Sequence, residues 1–466
     1  MAFDVSGAQV VVIGAARSGI AAAKLLVGRG ARVTLSDVKT VVADAQRMQE
    51  IGVTLNLGSN DPSVIERADL VVTSPGVPLE LSPLVAARAR GVPVIGELEL
   101  AFRWLRGRVI AITGTKGKST TTTLVGRMLQ RAGRHVLVGG NIGVPLSSQV
   151  DQSREHSIHV VEVSSFQLEA TETFRPWIAA LLNFSPDHLD RHPSEEAYAA
   201  AKTRIFANQT PDDWAVLNAD DAAALTLAAS VRSRRMTYAI ERIEQADVYV
   251  EGDFMWQRTS EGPTPLVPLS VIRLVGRHML SNAAAASAIA HAAGVTGESM
   301  SQALDGFTGL EHVMEPVATL GGVRFINDSK ATNVDAARRS IESFDRVVAI
   351  IGGRYKGGAF ADLASVLAAR GRGVVAIGEA RPLVREALAP ALPVVEADTM
   401  RDAVSAAYEL ARPDGVVLLA PACSSFDMFV DYADRGRAFK AEVARLGNEE
   451  RRTKTEERNQ EPGTKN

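Results

Sequence analysis

The segment Arg108-Val-Ile-Ala-Ile-Thr-Gly-Thr-Lys-Gly-Lys-Ser-Thr120 leaves this chain few folds to choose from. Its apolar run predicts a short buried strand, and the Ser/Thr run after Lys118 opens a helix. The turn between them, Gly114-Thr-Lys-Gly-Lys-Ser-Thr120, suits a phosphate. Its glycines let the backbone turn tightly with N–H groups pointing inward, and the helix N-terminus adds partial positive charge. Lys118 reaches toward terminal phosphates, and a hydroxyl of Ser119 or Thr120 is placed for Mg²⁺. The general pattern asks for Gly at 112, where Ile112 stands, so this is a shortened variant.

The 466 residues predict about three domains at roughly 150 residues each. A hydrophobic fraction of 46% is ample for several cores, and a net charge of −3 gives no global pull toward nucleic acid or acidic membranes. The one cysteine, Cys423, excludes an intrachain disulfide and a Cys-rich zinc site. The first residues lack a basic region followed by an apolar run and cleavage site, and no stretch of about 18 uncharged apolar residues occurs. A soluble cytoplasmic protein, monomeric and without membrane insertion, is the expectation.

Residues 1–96 alternate strand-like and helix-like runs. Ala8–Ile13, Gly14-Ala-Ala-Arg-Ser-Gly19, a helical Ile20–Gly30 and Val33–Asp37 form a βαβ unit with a nucleotide-fold fingerprint. Asp37 ends the second strand 18 residues after Gly19, where an acid commonly bonds a ribose hydroxyl. A NAD site, a UDP site and a plain tight turn fit this fingerprint equally. Val71-Val-Thr-Ser-Pro-Gly76 reads as a strand ending in a turn that Ser74 caps or lines. The C-terminal segment alternates again: Val323–Asn327, Arg346–Gly353, Gly373–Gly378, Pro393–Glu396 and Gly415–Ala420 read as strands, with helical runs such as Arg401–Leu410 between them. That pattern predicts a second doubly wound domain. Residues 447–466 are almost wholly polar and read as a disordered tail.

The middle segment holds most of the polar chemistry. Glu162 lies in the apolar run of His159-Val-Val-Glu-Val-Ser-Ser-Phe-Gln-Leu-Glu169, where a carboxylate is costly unless paired or metal-bound. Beside a phosphate loop, a Mg²⁺ ligand is the better reading, with a structural ion pair as the alternative. Asn183-Phe-Ser-Pro-Asp-His-Leu-Asp-Arg-His192 is dense in polar groups, but its Asp187, His188, Asp190 and His192 match no standard zinc spacing. Ser194 caps a predicted helix carrying Lys202, which without further context is a solvated lysine. Asn282 precedes an Ala-rich helix and either bonds an adenine edge or caps a turn.

Taken together, these segments resemble the Mur ligases of peptidoglycan synthesis, over roughly residues 8–440. The resemblance rests on Gly114-Thr-Lys-Gly-Lys-Ser-Thr120, Gly139-Gly-Asn-Ile-Gly143, Glu162-Val-Ser-Ser-Phe-Gln-Leu-Glu169, Asn327-Asp-Ser-Lys-Ala-Thr-Asn333 and Pro421-Ala-Cys-Ser-Ser-Phe-Asp427, in that order. The last two strings point to the branch that adds D-glutamate to UDP-N-acetylmuramoyl-L-alanine.

The resemblance implies an α/β fold of three domains. These are a Rossmann-like UDP-binding domain over 1–96, a central P-loop-type ATPase domain over 97–308 and a Rossmann-like amino-acid-binding domain over 309–446. It implies ATP and two Mg²⁺ ions, and chemistry through an acyl phosphate. Gly114, Thr115, Lys116, Gly117, Lys118, Ser119, Thr120 and Thr121 would hold ATP with Asn282 and His312. Lys118, His188 and Lys202 would be catalytic. Ser119, Glu162, His188 and a carbamylated Lys202 would hold the metals. Arg17, Ser18, Asp37, Ser74, Asn141 and Ser164 would bind the UDP substrate, which settles the earlier choice against NAD. Thr332, Lys356, Ser425 and Tyr432 would bind D-glutamate, with Cys423 a buried small residue among them.

Four positions depart from the family pattern. Val313 follows His312 where an arginine near the ATP phosphates is usual, and a valine does not replace a guanidinium. Lys116 and Met279 stand where asparagine is common, and Ala16 breaks a glycine pair. Two other readings therefore stand beside the first. One is a different amide-forming relative, another Mur ligase or a folylpolyglutamate synthetase-like enzyme. The other is a catalytically weak binding protein, which Val313 motivates.

Overall fold

Alternating apolar strands and amphipathic helices build three sheets in the computed structural model. It describes all residues except 1–2, 43, 60, 188–190, 242–243, 245, 275 and 461–466, and only the backbone of 453–460. The chain divides into two compact units, 1–272 with 278–306, and 273–277 with 307–466.

The first unit holds two sheets. Strands Gln9–Ile13, Arg32–Asp37, Thr54–Leu57, Leu70–Thr73 and Val94–Gly96 run parallel in the spatial order 3-2-1-4-5. Their centres are apolar because helices cover both faces, as in parallel sheets generally. The order reverses between Gln9–Ile13 and Leu70–Thr73, and such a switch point opens a crevice at the carboxyl ends of the strands.

The second sheet has nine strands, and Arg108–Thr113 lies third from one edge, between Ile158–Glu162 and Ile178–Leu181. All three are buried, so the loop that follows Thr113 leaves from a rigid base. At the far edge Val248–Glu251, Phe254–Thr259 and Gly262–Pro268 form an antiparallel meander that the sequence reading did not anticipate. Pro263, Pro265 and Pro268 argue against a strand locally. They are tolerated because this is the edge, where a missing N–H breaks no ladder bond to a further strand.

The second unit is a six-stranded sheet. Strand Val416–Leu419 sits centrally, parallel to both Val323–Asn327 and Val347–Gly352. The expected strands are all present within two residues at their ends, and Met400–Ala411 is the expected helix. Strand Glu315–Leu320, paired antiparallel at the edge, was not expected.

The tail reading needs correction. Residues 447–460 continue the helix Tyr432–Gln460, and only 461–466 lie outside the described residues. Polarity alone suggested disorder, but Glu, Arg and Lys are good helix formers, and the helix is tied at its surface. Arg445 pairs with Glu449 at 2.5 Å, Tyr408 donates to Glu450, and Gly447 permits close approach to Leu320.

Candidate active site

The loop after Arg108–Thr113 is built as its sequence demands. Gly114 and Gly117 have φ of 153° and 82°, which disfavour any side chain, and a Cβ on Gly117 would lie 2.2 Å from Asn282 Oδ1. Helix Lys118–Arg131 begins with no side-chain cap, leaving its first N–H groups suited to an anion. Asn183 braces the loop from below: its Oδ1 accepts from the Lys116 N–H and its Nδ2 donates to the Lys116 carbonyl, at 2.9 and 3.1 Å. Lys116 itself pairs with Asp187 at 3.5 Å. Of the three hydroxyls after Lys118, Thr120 and Thr121 are buried in the helix packing, while Ser119 remains partly exposed.

Asn282 is not a turn cap, because helix Arg277–Ala292 has already begun before it. It is buried against Gly117, with Met279 packed beneath it.

Two lysines converge on one atom. Lys118 Nζ donates to the Gly114 and Thr115 carbonyls at 2.9 and 3.0 Å, and Lys202 Nζ donates to the Gly114 carbonyl at 2.8 Å. The reading of Lys202 as a solvated lysine is overturned, since it is 2% exposed. Ser194 does cap its helix, accepting from Ala197, and the helix runs from Glu195 to Thr203. Lys202 sits over the Tyr198 ring with Nζ 4.6 Å from the centroid. Burial, helped by the Lys118 charge and opposed by Asp187, lowers its amine to about 6. A buried amine that is neutral at pH 7 is a nucleophile rather than a cation.

Glu162 ends the strand Ile158–Glu162 and is 2% exposed. Asn141 donates to Oε1 at 2.7 Å, and Oε2 is buried with no hydrogen-bond partner among the described residues. An unpaired buried carboxylate oxygen is costly, and a hard cation is the group it suits. The uncapped loop, Lys118, Ser119 and this oxygen together fit a magnesium–nucleotide pair. His188 and Asp190 lie outside the described residues.

A cleft of about 650 Å³ opens at the switch point of the first sheet, lined by Arg17, Ser18, Asp37, Ser74 and Asn141. Ser164 is not among its lining residues, but it caps helix Ser165–Glu169 through Gln167, which is. Asp37 accepts from the Ala15 and Lys39 N–H groups at 2.6 and 2.9 Å, and Ser74 Oγ donates to the Gly14 carbonyl at 2.8 Å. Ser74 therefore braces the glycine turn as well as facing the cleft. Ala16 has an ordinary extended backbone (φ −81°), which explains why a methyl is accepted there. Gly19 is different, because a Cβ would lie 1.7 Å from the Gly14 carbonyl oxygen. Gly19→Ala is expected to destabilise the chain by about 2–4 kcal/mol, measurable by thermal melting. An unchanged melt would contradict that packing.

In the second unit, loops from the carboxyl ends of three strands meet. Ala422 N–H donates to the Ala331 carbonyl, Arg354 and Ser424 exchange backbone bonds, and Gly352 N–H donates to the Pro421 carbonyl. Thr332, Lys356 and Ser425 lie on these loops, and Tyr432 begins the following helix. Arg435, not singled out from sequence, is fully buried beneath them. It donates to Ser329 Oγ, the Ser329 carbonyl and the Cys423 carbonyl at 2.9–3.2 Å. Cys423 is buried with its thiol pushed up to about 12 by burial, which excludes a thiolate nucleophile. His312, expected at the nucleotide, accepts at Nδ1 from Asn327 Nδ2 at 2.9 Å in this unit. It and Met314 flank Val313 with left-handed φ of 65° and 47°.

The chain matches a family model for the Mur ligase MurD-like N-terminal domain over 8–96. It also matches models for the Mur ligase middle domain over 112–290 and the Mur ligase glutamate ligase domain over 314–423. It is 47% identical over 443 residues to a UDP-N-acetylmuramoylalanine–D-glutamate ligase of Acidobacterium capsulatum, covering 94% of this chain and 96% of that one. A ligase of the same name from Koribacter versatilis is 43% identical, over 96% of this chain and all of its own length. Among solved structures, a pseudomurein peptide ligase type C from Methanothermus fervidus shares the fold, with a TM-score of 0.60 at 18% identity. The match covers 94% of this chain and 100% of that one. The chain belongs to the Mur ligase family.

Proposed function

We propose that this protein joins D-glutamate to UDP-N-acetylmuramoyl-L-alanine at the expense of ATP, in cytoplasmic synthesis of peptidoglycan precursors. Near-full-length identity of 41–47% to relatives named for that reaction carries the reading. The site chemistry supports it, because ligation through an acyl phosphate needs alignment and charge neutralisation more than a protein nucleophile.

In this reading residues 1–96 hold the UDP moiety in the cleft at Arg17, Ser18, Asp37 and Ser74. Residues 97–308 hold ATP on the loop Gly114–Thr121, and residues 309–446 hold D-glutamate near Thr332, Lys356, Ser425 and Tyr432. Lys118 stabilises the transferring phosphoryl group. The substrate carboxylate attacks the γ-phosphorus and ADP leaves. The D-glutamate amine then attacks the acyl carbon, a proton is lost, and phosphate departs from the tetrahedral centre. Glu162 and Ser119 would hold one Mg²⁺ ion, and His188 with a carbamylated Lys202 a second, where the ions neutralise phosphate charge. The neutral Lys202 amine is suited to that carbamylation: its lone pair attacks carbon dioxide, forms an N–C bond and releases a proton. Detection of the dipeptide-bearing UDP product by mass spectrometry tests the reading, and ATP hydrolysis without that product would overturn it.

A further inference from the structure

Helix Ser165–Glu169 is bridged by a buried histidine, His192, that the reaction as derived does not use. His192 Nε2 lies 2.9 Å from Ser165 Oγ, and Nδ1 lies 3.1 Å from Glu169 Oε1. The imidazole therefore spans both ends of one short helix, whose N-cap Ser164 follows the Glu162 strand. Its faces are occupied too. Phe166 stacks on it at 5.2 Å and 17°, and Tyr198 packs against it at 5.1 Å. Tyr198 is the ring over which Lys202 sits, and its hydroxyl lies 3.4 Å from Thr115 Oγ1 in the phosphate loop.

A Ser–His–Glu sequence invites a hydrolytic reading, but Ser165 and His192 are both almost fully buried, and neither lines the cleft. The chain of contacts leads instead from Glu169 through His192 and Tyr198 to Lys202. We propose that His192 is a positioning residue, held by Ser165 and Glu169, that seats Lys202 against the phosphate loop through the Tyr198 ring. Ser165 holds the ring at one edge by a hydrogen bond and the Glu169 carboxylate lies within ion-pair distance at the other, so the ring plane is set from both edges. This rests on the proposed ligase reading only for its consequence in turnover. The seating of Lys202 is a separate, measurable property.

Two measurements on the full chain separate these. In the first, Lys202 acylation by acetic anhydride at fixed pH is mapped by peptide mass spectrometry, with half-exposed Lys24 as internal control. His192→Ala should make Lys202 react about tenfold faster with Lys24 unchanged, because the wall behind Tyr198 is gone. In the second, His192→Ala should lower kcat about 30-fold with KM for ATP within about twofold, and added imidazole should restore part of the loss. Glu169→Gln, which keeps the ring in place, should show both effects more weakly and add nothing to His192→Ala. It carries the same test if the alanine variant does not fold. Unchanged Lys202 labelling overturns the proposal whatever the turnover. Faster labelling with unchanged kcat overturns its catalytic part. Absence of wild-type turnover overturns the ligase reading and leaves the labelling to decide the seating.

Discussion

Lys202→Met is expected to melt higher than the wild type at pH 7 and to turn over about a thousandfold more slowly or less. The two effects have one cause. The amine is ordinarily protonated below 10.5, and in the folded chain burial lowers it to about 6. A base depressed in this way contributes stability that is present above the unfolded value and is lost as pH falls through the folded one. At pH 7 the unfolded amine is protonated and the folded amine is not, which costs a few kcal/mol at about 1.4 kcal/mol per pKa unit. Methionine fills similar volume against Tyr198 and has no proton to lose. The Gly114 carbonyl, which Lys202 leaves, still accepts from Lys118. The stabilisation should therefore be largest at and below neutral pH and shrink as pH rises toward 10.5, read by denaturant melts across that range. A variant that melts lower than wild type at every pH would show that the amine is not buried in its neutral form. Turnover falls because the buried Lys202 amine beside the Gly114 carbonyl is gone.

Glu162→Gln should leave the fold intact while raising the Mg²⁺ concentration needed for half-maximal turnover about tenfold or more and lowering kcat about 100-fold. Glutamine keeps the Oε1 that accepts from Asn141 at 2.7 Å, so the strand end stays in place. It replaces the buried oxygen that has no hydrogen-bond partner among the described residues with an amide, which removes the charge a cation needs. Without metal the variant should melt at or above the wild-type temperature, since an unpaired buried carboxylate is itself a cost. A Mg²⁺ saturation curve that does not move would place the ion elsewhere. A variant that loses stability without metal would make Glu162 a structural partner.

Much of this site was legible because its parts are local in sequence. The strand–loop–helix from Arg108 to Arg131, the glycine turn at 14–19 and the cap at Ser194 each announce their geometry within a few residues. The C-terminal strands were legible for the same reason, as apolar runs between helices. What was not legible depends on distant residues. Tyr198 lies one turn before Lys202, but nothing near it in sequence shows that Gly114 and Lys118 close around the amine, so its burial could not be read locally. Asn183 and His192 looked like members of a polar turn. Their work, bracing Lys116 and bridging Ser165 to Glu169, appears only when the strands bring 114–120, 162–169, 183–187 and 192–198 together. Arg435 was not singled out, because its partners Ser329 and Cys423 lie 106 and 12 residues away. The meander at 248–268 was hidden by prolines that only an edge position tolerates.

The most direct test of the central reading is ADP release by the full chain with ATP, Mg²⁺, UDP-N-acetylmuramoyl-L-alanine and one amino acid at a time: D-glutamate, L-glutamate, lysine or diaminopimelate. Release that requires both the UDP substrate and D-glutamate, and is stimulated by bicarbonate, is the expected result. Equal release with another amino acid, or none with D-glutamate from a folded protein, would contradict it.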